Sequence, residues 1–169
     1  MLLCEASRQS LYHWTTMYNG VNIVLMNILA KRVEVFDLYT GVKLKKPIIH
    51  SGYVSFTRNP RYKVRGNYDG EICFEVDWDK IKTRYKTRPK ADRFALPASG
   101  DKGLQGTKGE FEEKVKGPIK NLDTYIKTIW IVPEVMKKIK NYLKNPPNPE
   151  SAKEYKKFLL NNKIKVGKP

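Results

Sequence analysis

Apolar residues recur with two different periods along the chain. After Thr15 and Thr16 they return every three or four positions, the spacing of one face of an α-helix, which predicts a helix that begins near Thr16. From Gly70 they occupy every second position, which predicts a half-buried strand. The helical positions are Val21, Val24, Leu25, Ile28 and Leu29, and the alternating ones are Ile72, Phe74 and Val76 against Glu71, Cys73 and Glu75.

Three further segments are rich in β-branched and aromatic residues, which favour strands. They are "VEVFDLY" from Val33, "PIIHSGYVSFT" from Pro47 as one longer strand, and "YIKTIWIV" from Tyr125, with "EFEEKV" from Glu110 preceding the last of them. The stretch "DWDKIKTRYK" suits a short helix or a turn. Between the strands, residues 89–109 contain four glycines and two prolines without a sustained period, which predicts a long loop.

The C-terminal part predicts two helices. Pro133 ends the strand from Tyr125 and begins the helix "PEVMKKIKNYLKN", since proline is favoured in a first helical turn. Ser151 and Glu154 have the spacing of a capping box, which predicts that Ser151 caps a last helix over residues 152–162. Strands that no regular crossover helices separate indicate an α+β fold with an antiparallel or mixed sheet.

Length and composition are those of one globular domain. The chain has 169 residues, of which 40% are hydrophobic and 30% charged, and no window is apolar enough for a membrane helix. The N-terminal segment does not read as a signal peptide. Cys4 and Cys73 are far apart and lack CxxC spacing, which argues against a zinc set or a disulfide framework. We therefore expect a cytoplasmic protein with no membrane partner and no metal.

Positive charge is concentrated at the C-terminal end. The formal net charge is +16, and residues 135–169 carry ten lysines against two glutamates. Such an excess implies a partner that carries phosphates or carboxylates. The lysines either hold a nucleic acid or form a solvated helix face, and the sequence favours neither interpretation.

Two short stretches carry the candidate chemistry. His13 lies in "LYHWTT", at a predicted junction between a strand and a helix, where backbone amides are free. The stretch "VSFTRNPRY" presents hydroxyl groups on a strand and arginines just beyond it, which suit a diphosphate. No GxGxxG motif follows a strand and no P-loop motif occurs, so neither common nucleotide-binding motif is supported.

"LYHWTT" before an apolar helix, "SFTRNPR" on a strand and the glutamates of "EFEEKV" after a loop resemble, in this order, the ADP-ribosyltransferase superfamily. The nearest resemblance is to DarT-type enzymes that modify nucleic acid and to small phage-encoded proteins with a "YHxT" element. It covers most of residues 11–132. It implies a split-sheet catalytic domain over residues 1–134, with residues 135–169 as a basic helical extension packed on it, in a bacterial or phage-infected cytoplasm.

The resemblance also implies residue roles, with NAD as co-substrate. Glu112 would be the catalytic carboxylate and Glu110 would orient or deprotonate the acceptor. Arg58 or Arg61 would neutralise the pyrophosphate, and the sequence does not separate these two arginines. The remaining NAD-site residues would be Tyr12, His13 and Thr15 on the ribose side, Ser55 and Thr57 beside the catalytic strand, and Tyr62 on nicotinamide.

The predicted loop and its flanks would receive the acceptor. We expect Tyr85, Arg88, Phe94 and Gln105 to contact it, with nucleic acid favoured over an acidic protein. The sequence departs from the family at Trp14, where a smaller residue is common, and at "SFT", which replaces a Ser-Thr-Ser triad. Glu113 could take the place of Glu112 in another register. A non-catalytic basic nucleic-acid-binding protein and an inactive relative of the transferases are the alternatives.

Overall fold

A seven-stranded mixed sheet organises the described part of the chain. The computed structural model describes residues 10–37, 40–58, 60, 70–89 and 112–169, with side chains at 88, 89, 112 and 113 excepted. The strands are β1 (Ser10–Thr15), β2 (Ile28–Leu29), β3 (Arg32–Phe36), β4 (Lys43–His50), β5 (Gly52–Thr57), β6 (Ile72–Asp77), β7 (Thr87–Pro89), β8 (Glu112–Gly117), β9 (Ile119–Lys120), β10 (Ile126–Ile131) and β11 (Ile164–Val166). The helices are α1 (Met17–Met26), α2 (Trp78–Arg84), α3 (Pro133–Lys144) and α4 (Pro149–Leu159), with a 3-10 turn at Leu122–Thr124.

The large sheet has the strand order β11-β10-β6-β1-β5-β8-β7. β10 and β11 run parallel, and the other neighbouring strands run antiparallel. Two small ladders, β2 with β9 and β3 with β4, stand apart from it. The chain therefore combines helices with a mixed sheet, as the sequence predicted.

Helix α1 begins where the sequence predicted but ends earlier. The Thr16 side chain accepts from the amide of Asn19 at the N-terminus. Asn27 adopts a left-handed conformation, with φ of 53°, and ends the helix. Ile28 and Leu29 therefore lie in β2 rather than on the helix, which corrects the prediction, because helical spacing alone did not reveal the stop at Asn27.

The predicted long strand from Pro47 is two strands in two sheets. β4 ends at His50 and pairs with β3, whereas β5 starts at Gly52 and pairs with β1 and β8. Gly52 has φ of 135°, a conformation that favours glycine, and it turns the chain between the sheets. A run of β-forming residues carries no signal for such a change of sheet.

The last helix starts earlier than predicted. Asn148 caps α4 by accepting from the amides of Glu150 and Ser151, so Ser151 is not the cap. Ser151 is buried in the first turn, where its hydroxyl donates to the Asn148 carbonyl and contacts the Tyr142 hydroxyl. Strand β11, which the sequence analysis did not predict, follows and extends the large sheet beside β10.

The residues after Val135 belong to the same hydrophobic core as those before it. Val135, Ile139 and Phe158 are buried in one cluster with the apolar residues of the sheet. The ring of Tyr155 lies 6.1 Å from that of Phe36 and 5.1 Å from that of Tyr142. The basic C-terminal segment is therefore part of the fold as well as a source of charge.

Candidate functional site

The motifs of the sequence analysis lie on three adjacent strands. β1 carries Tyr12 and His13, β5 carries Ser55 and Thr57, and β8 begins at Glu112. Tyr12 stands opposite Thr57, and Thr57 stands opposite Glu112. Segments separated by forty or more residues in sequence are thus neighbours in the sheet.

The register divides these residues between two faces of the sheet. Because successive residues of a strand alternate between faces and registered partners share one, Tyr12, Thr57 and the Glu112 position lie on one face. His13 lies on the other face, with Phe56 and the Glu113 position opposite Phe56. The resemblance assigned His13 to one NAD site with Tyr12 and Thr57, and His13 lies on the face of the sheet opposite to these two residues.

His13 has an unusual environment for a polar side chain. Its ring stacks on Phe74 at 6.4 Å and lies 5.7 Å from the ring of Phe56. Nδ1 lies 2.9 Å from the Ser55 carbonyl oxygen, so Nδ1 carries the proton and donates. Burial lowers the pKa of His13, although the bond to Ser55 opposes this shift. The imidazole is therefore neutral near pH 7, with an unprotonated Nε2.

The Nε2 atom of His13 is buried and has no hydrogen-bond partner among the described residues. A buried acceptor without a donor costs about 1–3 kcal/mol, and such groups in native proteins call for an explanation. A ligand hydroxyl, such as one from a ribose, would supply the missing donor. Among the described residues, Nε1 of Trp14 and the side-chain amide of Asn22 are also buried without a hydrogen-bond partner.

The hydroxyl and carbonyl oxygens of Thr15 both accept hydrogen bonds from nearby residues. Its hydroxyl oxygen accepts from the Asn19 amide group at 2.9 Å, and Asn19 in turn accepts from the Val33 backbone. Its carbonyl oxygen accepts from the amide of Glu71 at 3.0 Å. The Thr15 hydroxyl proton remains available to a ligand on the same face as His13.

Arg58 lies directly after Thr57, at the end of β5 that faces the start of β8. Its side chain is exposed. Ser55 is also exposed, while Thr57 is buried. Arg58 is therefore the described arginine nearest in the chain to the Thr57 and Glu112 pair.

Tyr85 is not brought to that end of the sheet. Its hydroxyl accepts from the Lys120 amide at 3.1 Å, and its ring packs edge-on against Tyr125. Burial raises its pKa. The adjoining Lys86 carbonyl accepts from Lys116, near the end of β8. Four residues separate Lys116 from Glu112, which is roughly 13 Å along a strand.

The other residues predicted to bind NAD or the acceptor lie at the edge of the described ranges or outside them. Arg88 stands opposite Lys114 in the β7 and β8 pair. Within the described ranges, no group of three or more histidine, cysteine or acidic residues could hold a metal ion, and no helix could span a membrane. Glu110, Arg61, Tyr62, Phe94, Gln105 and residues 90–109 of the predicted loop lie outside the described residues.

Sequence analysis missed a polar cluster on the Tyr12 face of the sheet. Glu75 accepts from the Ser10 hydroxyl at 3.1 Å and from the Trp130 indole at 3.0 Å. Lys127 donates to Ser10 at 2.9 Å, and Lys165 lies 5.5 Å from the centre of the Trp130 ring. In the sequence, Glu75 is one of the polar positions of an alternating strand, and nothing near it marks it as special. Its partners lie 65 and 55 residues away, so no local pattern could have found them.

Comparison with known proteins adds no relative to this geometry. No protein-family model, curated protein or solved structure matches the chain.

Proposed function

We propose that this protein is a NAD-dependent mono-ADP-ribosyltransferase that modifies a macromolecule, with nucleic acid favoured as the acceptor. The buried Nε2 of His13 is the single observation that carries the proposal. It is an acceptor without a partner among the described residues, next to the strands that bear the hydroxyl and glutamate motifs. A nucleotide ribose has the hydroxyl donors that such an acceptor binds.

The sheet register refines the choice of catalytic carboxylate. The resemblance assigns catalysis to Glu112, which stands opposite Thr57. Glu113 stands opposite Phe56, whose ring contacts His13. If His13 binds the ribose side of NAD, the residue on its own face is the better placed of the two. We therefore assign the catalytic role to Glu113. A substitution of Glu112 serves as the comparison that tests this assignment.

The reaction needs a negative charge beside a developing positive one. The bond between the nicotinamide nitrogen and the ribose C1′ breaks, and nicotinamide leaves with the bonding electrons. The acceptor atom then bonds to C1′ and loses its proton to a base. A carboxylate stabilises the positive charge that develops on the ribose in the transition state, which accelerates the step. Arg58 would compensate the pyrophosphate charge.

The decisive experiment compares Glu113→Gln with Glu112→Gln. Both variants remove one charge from adjacent positions of β8, so each is the matched control for the other. Purified proteins receive NAD labelled in the adenosine moiety, together with single-stranded DNA, RNA or protein lysate. Nicotinamide release and label transfer are both measured. We expect Glu113→Gln to lower both by at least about a hundredfold, and Glu112→Gln to retain most activity.

The other outcomes are equally informative. Loss confined to Glu112→Gln would overturn the assignment to Glu113 and return catalysis to Glu112. Intact NAD with the wild-type protein in every mixture would refute the transferase proposal. Nicotinamide release without label transfer would indicate NAD hydrolysis instead. Thermal melting of each variant identifies a loss that comes from misfolding.

A second candidate function is a non-catalytic basic nucleic-acid-binding protein. Six exposed lysines on α3 and α4 favour this function. No carboxylate group of a described residue lies within ion-pair distance of these lysines. Truncation is a poor test of it, because Val135 and Phe158 are core residues. Charge reversals on the helices leave the core intact. The six lysines are Lys137, Lys140, Lys144, Lys153, Lys156 and Lys157.

A further inference from the structure

Apart from Cys73, the buried apolar residues of β1, β6 and β10 point to one face of the large sheet, where Gly20 of α1 packs against Ile72. A Cβ on Gly20 would lie 2.9 Å from the Ile72 side chain. We call the opposite side the polar sheet face. It is formed by Ser10, Tyr12 and Trp14 of β1, Cys73 and Glu75 of β6, and Thr128 and Trp130 of β10.

Aromatic rings dominate the polar sheet face. Tyr12, Trp14 and Trp130 are half-buried there, and Trp14 and Trp130 both stand opposite Cys73. Tyr53 of β5 joins the same face by register and is 37% exposed. Aromatic side chains that retain exposure on a sheet are the groups on which unpaired bases stack.

Cations flank the aromatic rings on both sides. Lys165 of β11 lies over Trp130, and Lys127 bonds to Ser10. On the opposite side, Lys114 and Lys116 of β8 stand opposite Ser55 and Tyr53. Five inter-strand steps separate β11 from β8, which is about 24 Å at the usual strand spacing. Several nucleotides fit across that width.

We propose that the polar sheet face binds single-stranded nucleic acid, with bases stacked on Tyr12, Tyr53 and Trp130 and phosphates held by Lys165 and Lys116. A duplex keeps its bases stacked inside and cannot use the rings. An acidic protein would use the lysines but would not need a row of aromatic rings. Aromatic rings and lysines on one face together favour single-stranded nucleic acid over a duplex or an acidic protein.

This inference does not depend on the transferase proposal, because binding is measured without NAD. The probe is a fluorescein-labelled single-stranded DNA of 12 nucleotides, and its affinity is compared with that of the same sequence as a duplex. The key variant is Lys165→Glu, whose side chain is exposed. The matched control is Lys46→Glu on β4, which is also exposed, changes the net charge equally and belongs to neither group of candidate binding lysines. We expect Lys165→Glu to weaken binding by at least about fivefold and Lys46→Glu by less than about twofold.

Tryptophan fluorescence provides an independent test of stacking. The chain has three tryptophans, and Trp78, at the start of α2, packs against the hydrophobic core. We expect the oligonucleotide to quench the fluorescence of a Trp78→Phe protein about as strongly as that of the wild type. A Trp130→Phe protein should lose a large part of the quenching.

Three results would overturn the proposal. Equal weakening by Lys165→Glu and Lys46→Glu would indicate diffuse attraction to the whole basic surface. Equal affinity for the single strand and the duplex would exclude base stacking. Equal competition by a poly-glutamate peptide would indicate a site for acidic proteins. Thermal melting accompanies each variant, and the charge reversals lie at exposed positions, so misfolding is separable from loss of binding.

Discussion

The side chain of His13 bonds to the backbone of Ser55, with 2.9 Å between Nδ1 and the carbonyl oxygen. The two residues lie on β1 and β5, which are in register at Tyr12 and Thr57. The bond fixes the imidazole tautomer and leaves Nε2 as a buried acceptor with no partner among the described residues. One contact thus joins two of the motifs identified in the sequence.

His13 should make stability depend on pH in a defined direction. Burial lowers its pKa from the ordinary value of 6.5. Below about pH 6.5, His13 binds a proton more readily in the unfolded chain than in the folded chain. The stability that depends on neutral His13 is therefore present above about pH 6.5 and is lost as pH falls. We expect urea unfolding between about pH 7 and pH 5 to show a steeper loss for the wild type than for His13→Asn, by up to about 1.4 kcal/mol per pH unit.

The control for this effect is His50→Asn, which removes the second histidine from an exposed position on β4. The comparison concerns the slopes and not the absolute stabilities, since His13→Asn also changes packing against two phenylalanine rings. Parallel slopes for the wild type and His13→Asn would contradict the assignment of a lowered pKa.

Gly20→Ala should destabilise the protein, although alanine is the better helix former. The added Cβ would lie 2.9 Å from Ile72 Cδ1 and 3.0 Å from Ile72 Cβ. Helix propensity alone would favour alanine by about 1 kcal/mol, but overpacking costs typically about 1–3 kcal/mol. We expect a lower melting temperature for Gly20→Ala and partial recovery when Ile72→Val is added. A stabilised Gly20→Ala protein would show that α1 can move away from β6.

Asn27 should contribute through both its backbone and its side chain. It ends α1 with φ of 53°, and its amide group exchanges two hydrogen bonds of 2.7 Å with Asp123. Asn27→Gly keeps the backbone conformation and loses the side-chain bonds, which costs about 1 kcal/mol. Asn27→Ala should cost about 1 kcal/mol more, because alanine disfavours the left-handed region. Equal stabilities of the two variants would assign the whole effect to the side chain.

Cys73 should be unreactive in the folded protein. It is fully buried between β1 and β10, and burial raises the pKa of its thiol. Since the thiolate is the nucleophile, alkylation requires both exposure and ionisation. In a Cys4→Ser background, we expect iodoacetamide to modify Cys73 only after denaturation. Rapid modification of the native protein at pH 8 would show that the strands around Cys73 open locally.

The element types were largely predictable because they depend on local periodicity. The strand from Gly70, the strand before Pro133 and the helix that starts at Pro133 appear as predicted. Errors occurred where a single residue redirects the chain, at Asn27, Gly52 and Asn148. A left-handed residue or a side-chain cap involves only one or two residues. The helix or strand propensity of the flanking residues continues across that position and hides the boundary.

By itself, the amino-acid sequence determined the helix and strand segments, the concentration of positive charge and the residue types available for chemistry. The tertiary structure alone decided that β1, β5 and β8 are neighbours, that His13 and Tyr12 lie on opposite faces of the sheet, and that Trp130 reaches Glu75. The physical reason is that strand register fixes which face each residue occupies, and a shift of one residue reverses every assignment. Register depends on pairing between distant segments, which no single segment encodes.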